Sequence, residues 1–421
     1  GPSVLGGLFY ATAGFCGSTE WPQILAAAIW APLVFLFLLR SLRGRSPIKD
    51  AAWAGVALGF SWLSGHHGPS LILTLAAVGV MAAYVLARRH HPRGILRLGT
   101  MLLTLALVSA LQVLPAIEYG RQAVRWTGTG LLRWQDKVQF PEHTGAGLRA
   151  IDLLYVLMPE GVFYSDPFVG TVGASLAAFA VVAGLRRIEV RLFVLLGLAA
   201  LFYAMAGHGV LYGPLYALCP LVEKSRSPIV ALSVFHFSVA ALAAIGAHLL
   251  LSRPDPVCLS RIPAMLAWFG GITFGIFAVL LYLRPTVSST LAEADPRPAT
   301  IALVALLLAW LYRSWGRGLV RRESMLAFLC LLLIVEQGNK VGWVWAHIRD
   351  SSRMSFIGPL YQTRDLAAFL RSRPGPFRVE VNPKDLAFNF GDWYGLETTG
   401  GYLPSILEQS HRLNWWQDRL L

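Results

Sequence analysis

The chain of 421 residues is 55% hydrophobic, carries 14% charged residues and has a mean hydropathy of +0.55. Soluble domains carry about 25% charged residues, so this chain cannot coat a globule of its size with polar surface, and a water-soluble protein is excluded. The net charge of +13 would suggest nucleic acid in a soluble protein. Here the basic residues cluster in short loops between apolar runs, where membrane topology accounts for them and nucleic acid is not expected as a partner.

The apolar runs approach the length a bilayer demands, about 20 residues per helix, and about eleven of them are expected as helices. Their approximate spans are 1–16, 23–40, 50–64, 69–88, 98–116, 168–185, 191–207, 228–251, 263–283, 298–313 and 323–338. The fold class expected is an all-α polytopic membrane protein with a small C-terminal α/β segment. The four cysteines, Cys16, Cys219, Cys258 and Cys330, lie in or beside these runs without a close pair, so they define neither a metal site nor a disulfide framework. The opening run is expected to be a membrane helix rather than a signal peptide. The chain opens at Gly1 inside an apolar run and ends just after Trp415-Trp416, and it reads as part of a longer protein.

Basic loops set the expected orientation. Arg40, Arg43, Arg45 and Lys49 form one set, and Arg88, Arg89, Arg93 and Arg97 the next. Arg186, Arg187 and Arg191, then Arg253 and Arg261, then Arg313, Arg317, Arg321 and Arg322 follow. Short basic loops lie in the cytoplasm, and every alternate loop then takes the opposite side. A membrane domain of residues 1–338 is expected, with outer loops at about 117–167, 208–227 and 284–297 and an extracytoplasmic, truncated domain at 339–421. Within it, Pro115 is expected to end a helix at the outer interface. Leu211–Pro220 is too short to span and is expected to lie in the interface or re-enter. In the tail, Asp365–Arg371 suits a helix, Phe377–Val381 a strand and Asn382-Pro383 a turn.

Three outer constellations carry chemistry. Ser64-Gly65-His66-His67-Gly68-Pro69 is a glycine-bounded turn presenting two imidazoles. It suits phosphate or sugar contact, or it is a polar helix-hairpin turn. Two adjacent ligand-type residues are too few to specify a metal. Glu118, Arg121 and Arg125 recur at helical spacing, so one face of a juxtamembrane helix is expected to present an acid and two guanidiniums. That face suits a lipid phosphate, or it is an interfacial helix with an internal salt bridge. Glu223-Lys224-Ser225-Arg226-Ser227-Pro228 places basic residues on the outer side, against the positive-inside bias. Either a lipid-linked phosphate or a salt bridge to Glu223 accounts for it.

His208, His236 and His248 are functional candidates by their place in or near membrane helices, or packing residues with a hydrogen bond. Asp136, Glu142, His143, Asp152, Glu160 and Asp166 populate the long outer loop, and their spacing singles out none as acid or base. No phosphate-loop, dinucleotide or nucleophile-elbow motif occurs.

The run Leu63–Gly68 resembles the Leu-Ser-Gly-His turn of the YfhO-like bacterial membrane proteins, which belong with the GT-C glycosyltransferase superfamily. Leu114-Pro115, Glu118-Tyr119 and Arg125 resemble that family's next outer segment. Gly207–Pro220 with Arg226-Ser227-Pro228, then Phe377-Arg378-Val379 and Gly400-Gly401-Tyr402-Leu403-Pro404, resemble later ones. The resemblance covers nearly the whole chain in order. It implies a GT-C-like membrane enzyme of the bacterial inner membrane that takes a sugar from a polyprenyl-phosphate donor and delivers it to a cell-envelope glycan acceptor. Membrane lipid would surround it, and a divalent metal is compatible with it. His66, Arg125 and Arg226 match family positions and are expected at the donor phosphate. His67, Glu118, Arg121 and Lys224 complete the expected substrate-binding set. The family's acidic base lies in the first outer loop, which would fall upstream of Gly1, so no catalytic residue is assigned within the chain.

A transporter or flippase of envelope lipid or polysaccharide is the second class, and a noncatalytic assembly scaffold the third. A transporter places ionisable groups at mid-bilayer in repeated halves. This chain has no internal repeat and keeps most such groups near the outer face.

Overall fold

Backbone groups in hydrocarbon have no water to bond, so apolar runs resolve into helices whose bonds are internal. The computed structural model describes residues 1–19, 21–87, 91–127, 130–158, 165–252, 254–287, 297–349, 357–382, 385–386, 390–398 and 405–409. Its principal helices are α1 (Pro2–Thr12), α2 (Ala31–Arg43), α3 (Pro47–Trp62), α4 (His67–Ala87), α5 (His91–Gln122) and α6 (Gly170–Gly184). They continue with α7 (Ile188–Ala204), α8 (Leu232–Ser252), α9 (Pro256–Val287), α10 (Arg297–Gly316) and α11 (Arg322–Arg349). Prolines open α2 and α3 in the first turn, where the missing N–H costs no helical bond.

Among the described residues six segments are long and apolar enough to cross a membrane: Pro22–Arg43, His67–Leu86, Pro92–Gln122, Pro228–Ser252, Pro256–Val279 and Arg297–Gly316. The protein is therefore mainly helical, with the character of a polytopic membrane protein. The other apolar runs give α1, α3, α6 and α7, of 11, 16, 15 and 17 residues, and α11, which carries Glu336 and Lys340 in its second half.

The chain divides into two units, one of residues 1–113 and 143–342, the other of residues 114–142 and 343–421. In the first unit, several polar contacts between helices lie at the helix ends. At one end Arg43 pairs with Glu189, Arg40 lies 3.5 Å from Asp50, and Trp315 donates to the Leu250 carbonyl. These contacts join the C-terminal end of α2 to the N-terminal ends of α3 and α7, and the C-terminal end of α10 to that of α8. At the other end the Gly14 N–H, just past α1, donates to the Phe168 carbonyl, which precedes α6. His236, in the first turns of α8, meets the same carbonyl. Arg40, Arg43, Asp50 and Glu189 therefore gather at one end of this unit.

Small residues let these helices approach closely. Gly6 of α1 lies on Ala240 and Ala244 of α8, and Gly173 of α6 lies on the Phe9 ring. A Cβ at Gly246 of α8 would overlap the Leu176 carbonyl and stand 3.2 Å from the Ala180 nitrogen, both backbone atoms of α6. Gly246→Ala is expected to cost about 1–3 kcal/mol by overpacking, read as a lower thermal midpoint in detergent. Gly271→Ala, with nothing within 4 Å of its Cβ, is the control expected to leave the midpoint unchanged.

The second unit departs from the sequence expectations in three places. Pro115 lies inside α5, which continues to Gln122. A proline removes one donor and leaves the flanking bonds in place, and helices of membrane proteins tolerate the gap. Arg125 leaves the helix for β1 (Ala123–Trp126), which pairs antiparallel with β2 (Leu131–Arg133) and β3 (Ser405–Leu407) in the order β2-β1-β3. Among the described residues Phe377–Val381 forms no ladder, and only Val379 of this run bridges, to Thr398. The expected helix at Asp365–Arg371 is observed at Arg364–Arg371. It packs in a small core with Leu360, Phe390 and Tyr394, and α11 runs on to Arg349 past the expected tail boundary at 339. Pro383, Gly400–Pro404 and Trp415-Trp416 lie outside the described residues.

Candidate functional site

At the end of the first unit opposite Arg40 and Arg43, α3 and α4 are joined by the expected histidine turn. Gly65 sits at φ +85°, a conformation open to glycine and strained for other residues, and it reverses the chain between Trp62 and His67. The indole N–H of Trp62 donates to Thr74 Oγ1 at 3.0 Å, and its ring lies 5.3 Å from that of His67. Both imidazoles are half-buried, and His67 Nε2 is a buried atom with no hydrogen-bond partner.

This turn abuts the segment that carries the outer basic residues. An ideal Cβ on Gly68 would stand 3.1 Å from His66 Cε1 and 3.5 Å from Val230 Cγ2. Val230 belongs to the 3-10 turn Pro228–Ala231 that directly follows Arg226-Ser227. Lys224 ends the 3-10 turn Val222–Lys224. Lys224 and Arg226 are half-buried. Among the described residues no ion pair joins Glu223 to either cation, and Arg226 has no carboxylate partner. A guanidinium held partly out of water without a counter-charge is poised for an anion.

His236 and Asp166, both named among the candidates, belong to a polar network whose central residues, Glu336 and Gln337, sequence reasoning did not single out. Glu336 of α11 is buried and caps the N-terminus of α6. It accepts from the Thr171 N–H at 2.6 Å, from Thr171 Oγ1 at 2.5 Å and from the Val172 N–H at 3.0 Å. Gln337 Nε2 donates to the Val169 carbonyl at 2.9 Å. Gly170, at φ +76°, turns the chain into the helix there. Asp166, also buried, accepts from the Phe168 N–H at 2.8 Å. His236 places its two ring nitrogens 2.8 Å from the Leu232 carbonyl and 3.1 Å from that of Phe168. A neutral imidazole donates to only one of them. The sequence did carry one signal for this network, an acid and an amide inside the apolar run 323–338.

His143 is fully buried, with Nδ1 2.7 Å from the Tyr212 hydroxyl. Burial pushes the Tyr212 phenol above its ordinary range, so it stays neutral. His208 is exposed, and Glu160 lies outside the described residues.

In the second unit Glu118 and Arg121 share one face of α5, three residues apart, and both are exposed. No ion pair joins them among the described residues. Arg125, also exposed, pairs in register with Leu132 and Ser405. It therefore lies on the sheet face opposite Val124 and Ile406, and the expected single helical face of three residues is replaced by a helix end and a strand. Trp134 packs over Gly120, and the Tyr119 hydroxyl donates to the Ser405 carbonyl at 3.0 Å.

No group of three or more His, Cys, Asp or Glu residues among those described is placed to hold a metal ion. No family model, curated protein or solved structure matches the chain.

Proposed function

We propose that the protein is a GT-C-type membrane glycosyltransferase that moves a sugar from a polyprenyl-phosphate-linked donor to an extracytoplasmic cell-envelope acceptor. The observation that carries this reading is Arg226, a half-buried guanidinium without a carboxylate partner among the described residues, in the segment beside the His66-His67 turn. As the bond between the sugar and the phosphate oxygen breaks, negative charge collects on the lipid phosphate. Arg226 and Lys224 stabilise that charge, and His66 and His67 hydrogen-bond it. An outer carboxylate takes the proton of the attacking acceptor hydroxyl. Glu118, Arg121 and Arg125 of the second unit are on this reading substrate-binding residues as well. All eleven apolar segments cross the bacterial inner membrane, and residues 339–421 are extracytoplasmic.

The test is transfer of labelled sugar from a polyprenyl-phosphate donor by membranes carrying the intact protein. Arg125→Ala and Arg226→Ala are expected to lose transfer while expression stays intact. Unchanged transfer in both variants would overturn the assignment. A transporter or flippase is the second reading, favoured by Glu336 and His236 buried in apolar helices. Both already hold backbone partners, as structural groups do.

A further inference from the structure

Ala206 at φ 47° and Leu221 at φ 71° are the two non-glycine residues with positive φ among those described. That conformation costs an L-residue about 1–2 kcal/mol, so what lies between the two bends must hold them. Between them runs the short helix Tyr212–Leu218, far below the length of about 20 residues that a crossing requires. One side of this segment is bolted down. Tyr212 is fully buried, hydrogen-bonded to the equally buried His143, with its ring edge-on to Tyr203 at 4.9 Å. The other side is apolar and open, with Val210 84%, Leu218 81% and Leu221 44% exposed, and Pro214 and Pro220 also exposed. Lys224 and Arg226 follow at once.

A segment tied by a tyrosine below, greasy above and flanked by cations matches the chemistry of a bilayer surface, where apolar side chains enter the acyl boundary and cations meet lipid phosphates. We propose that residues 206–221 form an interfacial anchor against an anionic phospholipid leaflet. Val210, Leu218 and Leu221 sit at the acyl boundary, Lys224 and Arg226 sit at the level of the headgroup phosphates, and the Tyr212–His143 bond is the bolt. The anchor shares Lys224 and Arg226 with the proposed donor site, but its test reads membrane depth and not sugar transfer, so the two readings fail separately.

The test uses the chain with Cys16, Cys219, Cys258 and Cys330 replaced by alanine and Leu218→Cys carrying an environment-sensitive fluorophore, in nanodiscs. Leu218 is exposed, so the label does not disturb packing. Lipids bearing a nitroxide near the headgroup are expected to quench this label several-fold more than lipids with the nitroxide at the chain terminus. They should also quench it several-fold more than a label at Gln362→Cys, an exposed position in the segment that the proposed topology places outside the membrane. Quenching should rise when phosphatidylglycerol replaces part of the phosphatidylcholine, and Tyr212→Phe, which keeps the ring and removes the hydroxyl, should weaken it. Quenching by aqueous iodide as strong as at Gln362 would overturn the anchor. Strongest quenching by the chain-terminal nitroxide would overturn its interfacial depth, and indifference to phosphatidylglycerol would overturn the role of the two cations.

Discussion

Glu336→Ala is expected to destabilise the helical unit by several kcal/mol, about 1–3 kcal/mol for each buried donor left without an acceptor. The reason is the count of bonds at one carboxylate. Two backbone N–H groups and a hydroxyl converge on it, and all lie where water does not reach. Alanine leaves these donors unsatisfied at the N-terminus of α6, where the helix dipole also favours a negative charge. Glu336→Gln keeps one acceptor oxygen and should fall between wild type and alanine. Thr171→Val removes only the hydroxyl bond and should cost about 1 kcal/mol. The double variant Glu336→Ala/Thr171→Val should cost less than the two single losses combined, because the hydroxyl has no partner once the carboxylate is gone. Thermal midpoints in detergent read all four. A wild-type midpoint for Glu336→Ala would mean that the α6–α11 cap does not hold the fold.

The helices were legible because run length and end signals are local. Proline opens α2 and α3, glycine bounds the histidine turn, and the run at Arg364–Arg371 carries its own amphipathic period. The sheet was not legible for a physical reason. Strands of three and four residues fall below what a period of two can register, and β1 finds one of its partners in β3, far along the chain. Arg125 looked helical because its spacing from Glu118 and Arg121 fits a helix, and spacing does not announce where a helix stops. Glu336 illustrates the converse. Its residue type in an apolar run marked it as unusual, but the donors that explain it lie on α6 and are fixed only by packing. The histidine turn and the Arg226 segment were each visible as motifs. Their contact through Gly68 and Val230 belongs to the tertiary structure alone.

Arg226→Ala should separate function from stability in opposite directions. Most residues whose loss abolishes activity also weaken the fold, because they are tied into it. Among the described residues Arg226 has no carboxylate partner to strand when it is removed, and a half-buried charge without a counter-ion is itself a cost to folding. The alanine variant should therefore melt at or above the wild-type midpoint. If the guanidinium binds the donor phosphate, the same variant should lose about 100-fold in transfer, the scale of removing one preorganised donor to developing charge. Arg226→Lys keeps the charge and loses the planar fork, so it should recover part of that loss without reaching wild type. A lower midpoint with transfer falling in proportion would mark Arg226 as structural. A raised midpoint with normal transfer would mean that the unpaired cation serves something other than the donor phosphate. Only a stable protein with a disabled donor step, partly restored by lysine, is what a phosphate site predicts.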